Sequence, residues 1–184
     1  MNETPGVITL IGYRGSGKSS IAPLLATRLG WTSVDADAEI ERRAERSISQ
    51  IFELEGESTF RELERQVMRD LLKSSAIIVA AGGGAAINDE TRAEMKAAGE
   101  VVYLSATVDV LAGRIAGDES SPDRRPNLTG TGGRVEIVRM LSLREPIYRQ
   151  AASLTVDVDE LSPDQIADRI EMFLRKRRAV WFNA

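Results

Sequence analysis

The chain contains neither cysteine nor histidine among its 184 residues. Without cysteine there is no disulfide framework, no thiolate zinc site and no thiol nucleophile. Without histidine there is no Ser-His-Asp relay, no imidazole base and no imidazole metal ligand. Acid–base work is left to Asp, Glu, Lys, Tyr or a bound water. Any metal must be a hard cation held by oxygen, such as Mg²⁺. Positive charge is not in excess either: 24 Lys+Arg face 28 Asp+Glu, a formal net charge of −4. That removes the global electrostatic case for a nucleic-acid partner. No apolar run approaches the ~18 residues of a membrane span. The polar start, residues 1–5, followed by the short apolar run Val7–Ile11, does not read as a targeting segment. The expectation is a cytoplasmic protein with no membrane partner. What is present is ordinary for a globular chain, 42% hydrophobic and 28% charged, and the length suits one domain, residues 1–184, with a sizeable core.

Short apolar runs alternate with helical periodicity, the pattern of βαβ units and a parallel sheet. Strands are expected at Val7–Ile11, Thr32–Asp35, 77–81, 101–104 and 154–158. Helices are expected at Lys18–Leu29, 37–46, 48–55 (ended by Gly56), 57–73, 88–98, 107–116, 134–150 and from Ser162 onward. Pro146 is expected to kink or end its helix. Ser47, Asn88, Thr107 and Ser162 are the expected caps. The result is an α/β chain of five strands with helices on both faces. Residues 117–133 hold several glycines, two prolines and Asp123-Arg124-Arg125. A loop that long is a solvated insertion or a lid. A phosphate-handling lid is the better reading if a nucleotide site exists elsewhere.

Such a site is written at residues 12–19. Gly12-Tyr13-Arg14-Gly15-Ser16-Gly17-Lys18-Ser19 matches G-x-x-x-x-G-K-[ST] at every defined position. The glycines let successive N–H groups turn inward toward phosphate oxygens, and the following helix adds its positive end. Lys18 reaches the β- and γ-phosphates and Ser19 offers a hydroxyl to Mg²⁺. The order strand, motif, helix argues against an accidental glycine-rich turn.

Three further features carry two readings each. Asp35 and Asp37 close the second strand, where alternate residues point the same way; both face the phosphate site, or they are a helix cap with an acidic first turn. Arg61 and Glu64 are i, i+3 on a helix. They are a surface ion pair, or a held guanidinium fork that grips a substrate carboxylate. Gly82-Gly83-Gly84 follows a strand directly, as a flexible turn or as backbone that a ligand approaches closely. The basic run Arg175-Lys176-Arg177-Arg178 is read as a solvated helix end, with Trp181 and Phe182 beyond it.

Taken together, these residues resemble the shikimate kinase family, from about Val7 to Phe173. The resemblance rests on the loop at 12–19, Asp35-Ala36-Asp37, Phe60-Arg61 with Glu64, and Gly82-Gly83-Gly84. It extends to Arg125-Pro126 and to Tyr148-Arg149 after Arg144-Glu145-Pro146. Ala36 stands where the family often has Thr. The resemblance implies a three-layer P-loop fold with strand order 2-3-1-4-5, a mobile lid, substrate-binding helices at about 37–73 and a monomer. It implies transfer of the γ-phosphate of ATP, with Mg²⁺, to the 3-hydroxyl of shikimate. Lys18, Asp37 and Arg125 are the implied catalytic residues, with Asp37 as base and Arg125, rather than Arg124, as the lid arginine. ATP is assigned to Gly15, Ser16, Gly17, Lys18, Ser19 and Ser20, with Arg114 and Pro163 beside adenine. Ser19 and Asp35, the latter through water, hold the metal. Shikimate is assigned to Asp37, Phe52, Phe60, Gly82, Gly83 and Gly84, its carboxylate to Arg61 and Arg149. A gluconate-type kinase of the same P-loop class, or a nucleotide-binding module without catalysis, are the alternatives.

Overall fold

The computed structural model describes residues 6–117 and 133–182. Most of the expected lid, with Arg124 and Arg125, therefore lies outside the described residues, as do the side chains of Trp181 and Phe182. Five strands, β1 (Val7–Ile11), β2 (Thr32–Asp35), β3 (Ile77–Ala80), β4 (Gly99–Ser105) and β5 (Leu154–Asp157), form one sheet in the order β2-β3-β1-β4-β5. Every pairing is parallel, with Val7 opposite both Ile77 and Gly99. The central strands VITLI and IIVA are buried throughout, as expected where helices cover both faces. The edge strands TSVD and LTVD are only partly buried.

The helices are α1 (Lys18–Leu29), α2 (Ala36–Ala44), α3 (Ile48–Leu71), α4 (Asp89–Ala98), α5 (Val108–Ala116), α6 (Gly133–Ala151) and α7 (Pro163–Phe182). Strand alternation divides the core in two. Val7, Ile11, Val79 and Tyr103 pack with Ile40, Ile51, Met68 and Met95 on the α2–α4 side. Ile8, Leu10, Ile78 and Leu104 pack with Ile21, Leu25, Leu111 and Ile170 on the α1, α5 and α7 side. No described helix is long and apolar enough to cross a membrane.

The elements in part follow and in part depart from the sequence reading. Gly56 does break the helical path, where one helix was expected to end and the next to begin. With φ 84° and ψ 171°, a non-helical and glycine-favouring conformation, it kinks α3 into two helical stretches. Pro146 neither ends nor interrupts α6, which runs on to Ala151. Periodic burial of Ile137, Leu141, Tyr148 and Ala151 outweighs the one missing donor. A 3₁₀ turn at Ala85–Ile87 was not foreseen. Ser47 and Asn88 cap as expected, accepting from Gln50 N and Thr91 N. Thr107 occupies its cap position without a side-chain bond.

Candidate active site

The turns that follow β1, β2 and β3 emerge at one edge of the sheet, where open α/β sheets bind ligands. After β1, Gly17 takes the left-handed conformation (φ 99°) as N-cap of α1 without any side-chain cap, and the first turn of α1 has no acidic residue. The leading amides and the helix's positive end are thus left for an anion. Lys18 is buried and folds back over the loop, donating from Nζ to the carbonyls of Gly12 and Tyr13, both at 2.9 Å. Arg114 ties the loop to the exit of β5, donating to Gly15 O (3.3 Å) and Val158 O (3.1 Å). A cavity of about 470 Å³ opens here. Its lining includes Gly15, Ser16, Gly17, Lys18, Ser19, Ser20, Arg114 and Pro163, the whole described part of the expected nucleotide set, together with Asp35 and Asp37.

Asp35 and Asp37 arrive by a different route from the one expected. Asp37 is not on the strand but in the first turn of α2, and Asp35 is that helix's N-cap. Asp35 Oδ1 accepts from the amides of Asp37 (3.0 Å) and Ala38 (3.2 Å). Its other oxygen accepts from Ser19 Oγ at 2.5 Å. The cap reading therefore holds through one oxygen, while the other, bonded to Ser19, belongs to a side chain that lines the phosphate cavity. The donor pair Ser19–Asp35 suits a hard divalent ion. No group of three or more side chains able to hold a metal occurs among the described residues, so such an ion would take most of its ligands from phosphate and water.

Beside this cavity lies a second cleft, between α3, the turn after β3, and α6. The Phe52 and Phe60 rings meet at 4.8 Å across the Gly56 bend. Arg61 lies over the Phe60 ring at 5.1 Å. It donates to Glu64 Oε2 (2.8 Å) and, through Nε and Nη2, to Glu57 Oε1 (3.3 and 3.1 Å). Burial works against the Arg61 charge, but Glu64 and Glu57 hold its pKa above the ordinary value. Burial pushes the Glu64 carboxyl upward, partly offset by Arg61. Gly84 lets the guanidinium approach, since a Cβ there would stand 2.3 Å from Arg61 Nη1. Gly83 and Gly84 line the cleft. Gly82 does not; it is buried beneath, accepting from Ala85 N at the start of the 3₁₀ turn.

Arg149 is not brought to this cleft. It is 54% exposed, bound to Glu145 (3.0 and 2.6 Å), and lies over the Tyr103 ring at 5.8 Å. Arg144 lines the cleft in its place and donates to Gly83 O at 3.3 Å. Tyr148 donates its hydroxyl to the same carbonyl at 2.5 Å, and burial pushes its pKa up to about 12. The signal was available: residues 144 and 148 are i, i+4 and share a helix face, whereas 149 is turned away. Glu57, Glu136 and Arg14 are also at the site without having been expected there.

A family model described as "Shikimate kinase" matches residues 14–175. Shikimate kinase of Thermobifida fusca is 43% identical over 170 residues, covering 92% of this chain and 95% of the relative. That of Rhodopirellula baltica is 39% identical over 166 residues, 90% of this chain and 89% of the relative. Among solved structures, shikimate kinase from Acinetobacter baumannii in complex with shikimate superimposes with TM-score 0.88 at 32% identity, covering 95% and 96% of the two chains. Likeness that runs from the phosphate loop into the last helix, over nearly the full length of each relative, makes the chain a member of the shikimate kinase family.

Proposed function

We propose that the protein phosphorylates the 3-hydroxyl of shikimate with ATP and Mg²⁺. The observation that carries this reading is that the phosphate cavity and the arginine-lined cleft are neighbours with shared walls, Arg14 and Ile48 lining both. In this reading the loop amides and Lys18 hold the nucleotide phosphates, and Arg114 and Pro163 flank the base. Ser19 and Asp35 hold the metal, which supplies positive charge to the phosphates. Arg61, held by Glu64 and Glu57, and Arg144 grip the acceptor's carboxylate. Phe52 and Phe60 pack on its ring, and the backbone at Gly83 and Gly84 meets its hydroxyls. Asp37 accepts the proton of the attacking hydroxyl. Arg125, outside the described residues, is assigned to the lid by resemblance. The reading extends to a single-domain monomer in the cytoplasm that acts on small molecules; the net charge of −4 gives nucleic acid no foothold.

An ADP-release assay with shikimate, gluconate and nucleosides offered separately tests it. Release that depends on shikimate is expected. Release that depends on gluconate or a nucleoside would reassign the acceptor, and ATP binding without acceptor-dependent turnover would make the chain a binding module. Sedimentation at assay concentration is expected to give the mass of one chain.

A further inference from the structure

The loop motif leaves its third position open, and here it is Arg14. The side chain is half-buried. It lines the phosphate cavity with Lys18, Ser19 and Asp37, and the acceptor cleft with Arg61 and Arg144. Of the described residues only Arg14 and Ile48 line both, and Ile48 is apolar, so Arg14 is the charged group at the junction. Among the described residues it makes no hydrogen bond or ion pair. The other two arginines of the cleft are engaged, Arg61 by Glu57 and Glu64 and Arg144 by Gly83 O.

A group that reaches both cavities reaches the boundary a phosphoryl group must cross. Negative charge in that transfer spreads over the three phosphoryl oxygens. A planar guanidinium matches such oxygens in pairs, and one already in position needs no reorganisation as the charge develops. We propose that Arg14 is a catalytic residue that binds the phosphoryl group in transit, opposite Lys18. The proposal rests on the kinase reading above. In that reaction the acceptor oxygen bonds to the γ-phosphorus, the bond to the β,γ-bridging oxygen breaks, the hydroxyl proton passes to Asp37 and ADP departs.

The test uses the full chain, wild type, Arg14→Met and Arg14→Lys. Turnover of Arg14→Met is expected to fall about 100-fold, with both KM values within about threefold of wild type. Calorimetry gives a readout apart from turnover. ADP with aluminium fluoride, Mg²⁺ and shikimate mimics the phosphoryl group in transit, and Arg14→Met should bind this mixture about 100-fold more weakly while binding ADP alone normally. Arg14→Lys, which keeps the charge without the fork, should fall between. Turnover and mimic affinity within about twofold of wild type overturn the proposal. So does a rise in the shikimate KM alone, which would make Arg14 a third carboxylate anchor. A wild-type chain that ignores shikimate overturns the underlying reading instead.

Discussion

Arg144 and Arg149 carry the same charge five residues apart, and only their direction along α6 separates them. An unmade charge-assisted bond is worth about 1.5–3 kcal/mol. Arg61→Ala and Arg144→Ala should therefore each raise the shikimate KM about tenfold or more while sparing the KM for ATP. Arg149→Ala should change neither by more than about twofold, because an exposed pair with Glu145 contributes little. Steady-state kinetics of the three variants check this, and a loss confined to Arg149→Ala would restore the original assignment. The sequence made arginine's role legible, since a carboxylate needs a fork. It did not make the choice of arginine legible from the Tyr-Arg pair alone, because neighbours in sequence lie about 100° apart on a helix. Asp35 illustrates the opposite case: a carboxylate that caps a helix also lines the phosphate cavity, and no local pattern could reveal that its two oxygens serve different partners.

At the scale of elements, the alternation of apolar runs and helical stripes was enough to locate all five strands, because each central strand is buried on both faces. Gly56 breaks the helical path as expected, whereas Pro146 does not end α6, because local preference is a weak opponent of a large buried face. The Gly56 bend has a purpose at the cleft. Eight residues along a straight helix span about 12 Å, yet the Phe52 and Phe60 rings are 4.8 Å apart. A Cβ at position 56 would meet nothing within 4 Å, so Gly56→Ala is opposed by backbone conformation alone. It should destabilise the protein by about 1–3 kcal/mol and raise the shikimate KM as the rings part. Urea denaturation and kinetics read the two effects. An unchanged midpoint with unchanged kinetics would show that the bend is dispensable.

For the molecule as a whole, Tyr148 links α6 to the turn after β3, and its titration should be visible in global stability. The unfolded chain releases this phenolic proton near its ordinary value of 10, whereas burial keeps it in the folded chain until about 12. Between those values the unfolded state binds fewer protons, so stability must fall as pH rises. Tyr148→Phe should be less stable at neutral pH by about 1 kcal/mol, the lost bond to Gly83 O. Its stability should decline less steeply between pH 10 and 12. Tyr103, also raised by burial, leaves some slope behind. Denaturation midpoints across that range measure it, and equal slopes would count against the assignment.

The sheet also has a quiet side. Gly6 precedes β1, and Arg177, near the far end of α7, pairs with Glu100 at the start of β4. Both therefore sit on the rim opposite the glycine-rich loops, a full strand length from the chemistry. An affinity tag, a fluorescent reporter or a solid support attached on this rim, beside Gly6 or Arg177, should leave traffic of nucleotide and acceptor unobstructed.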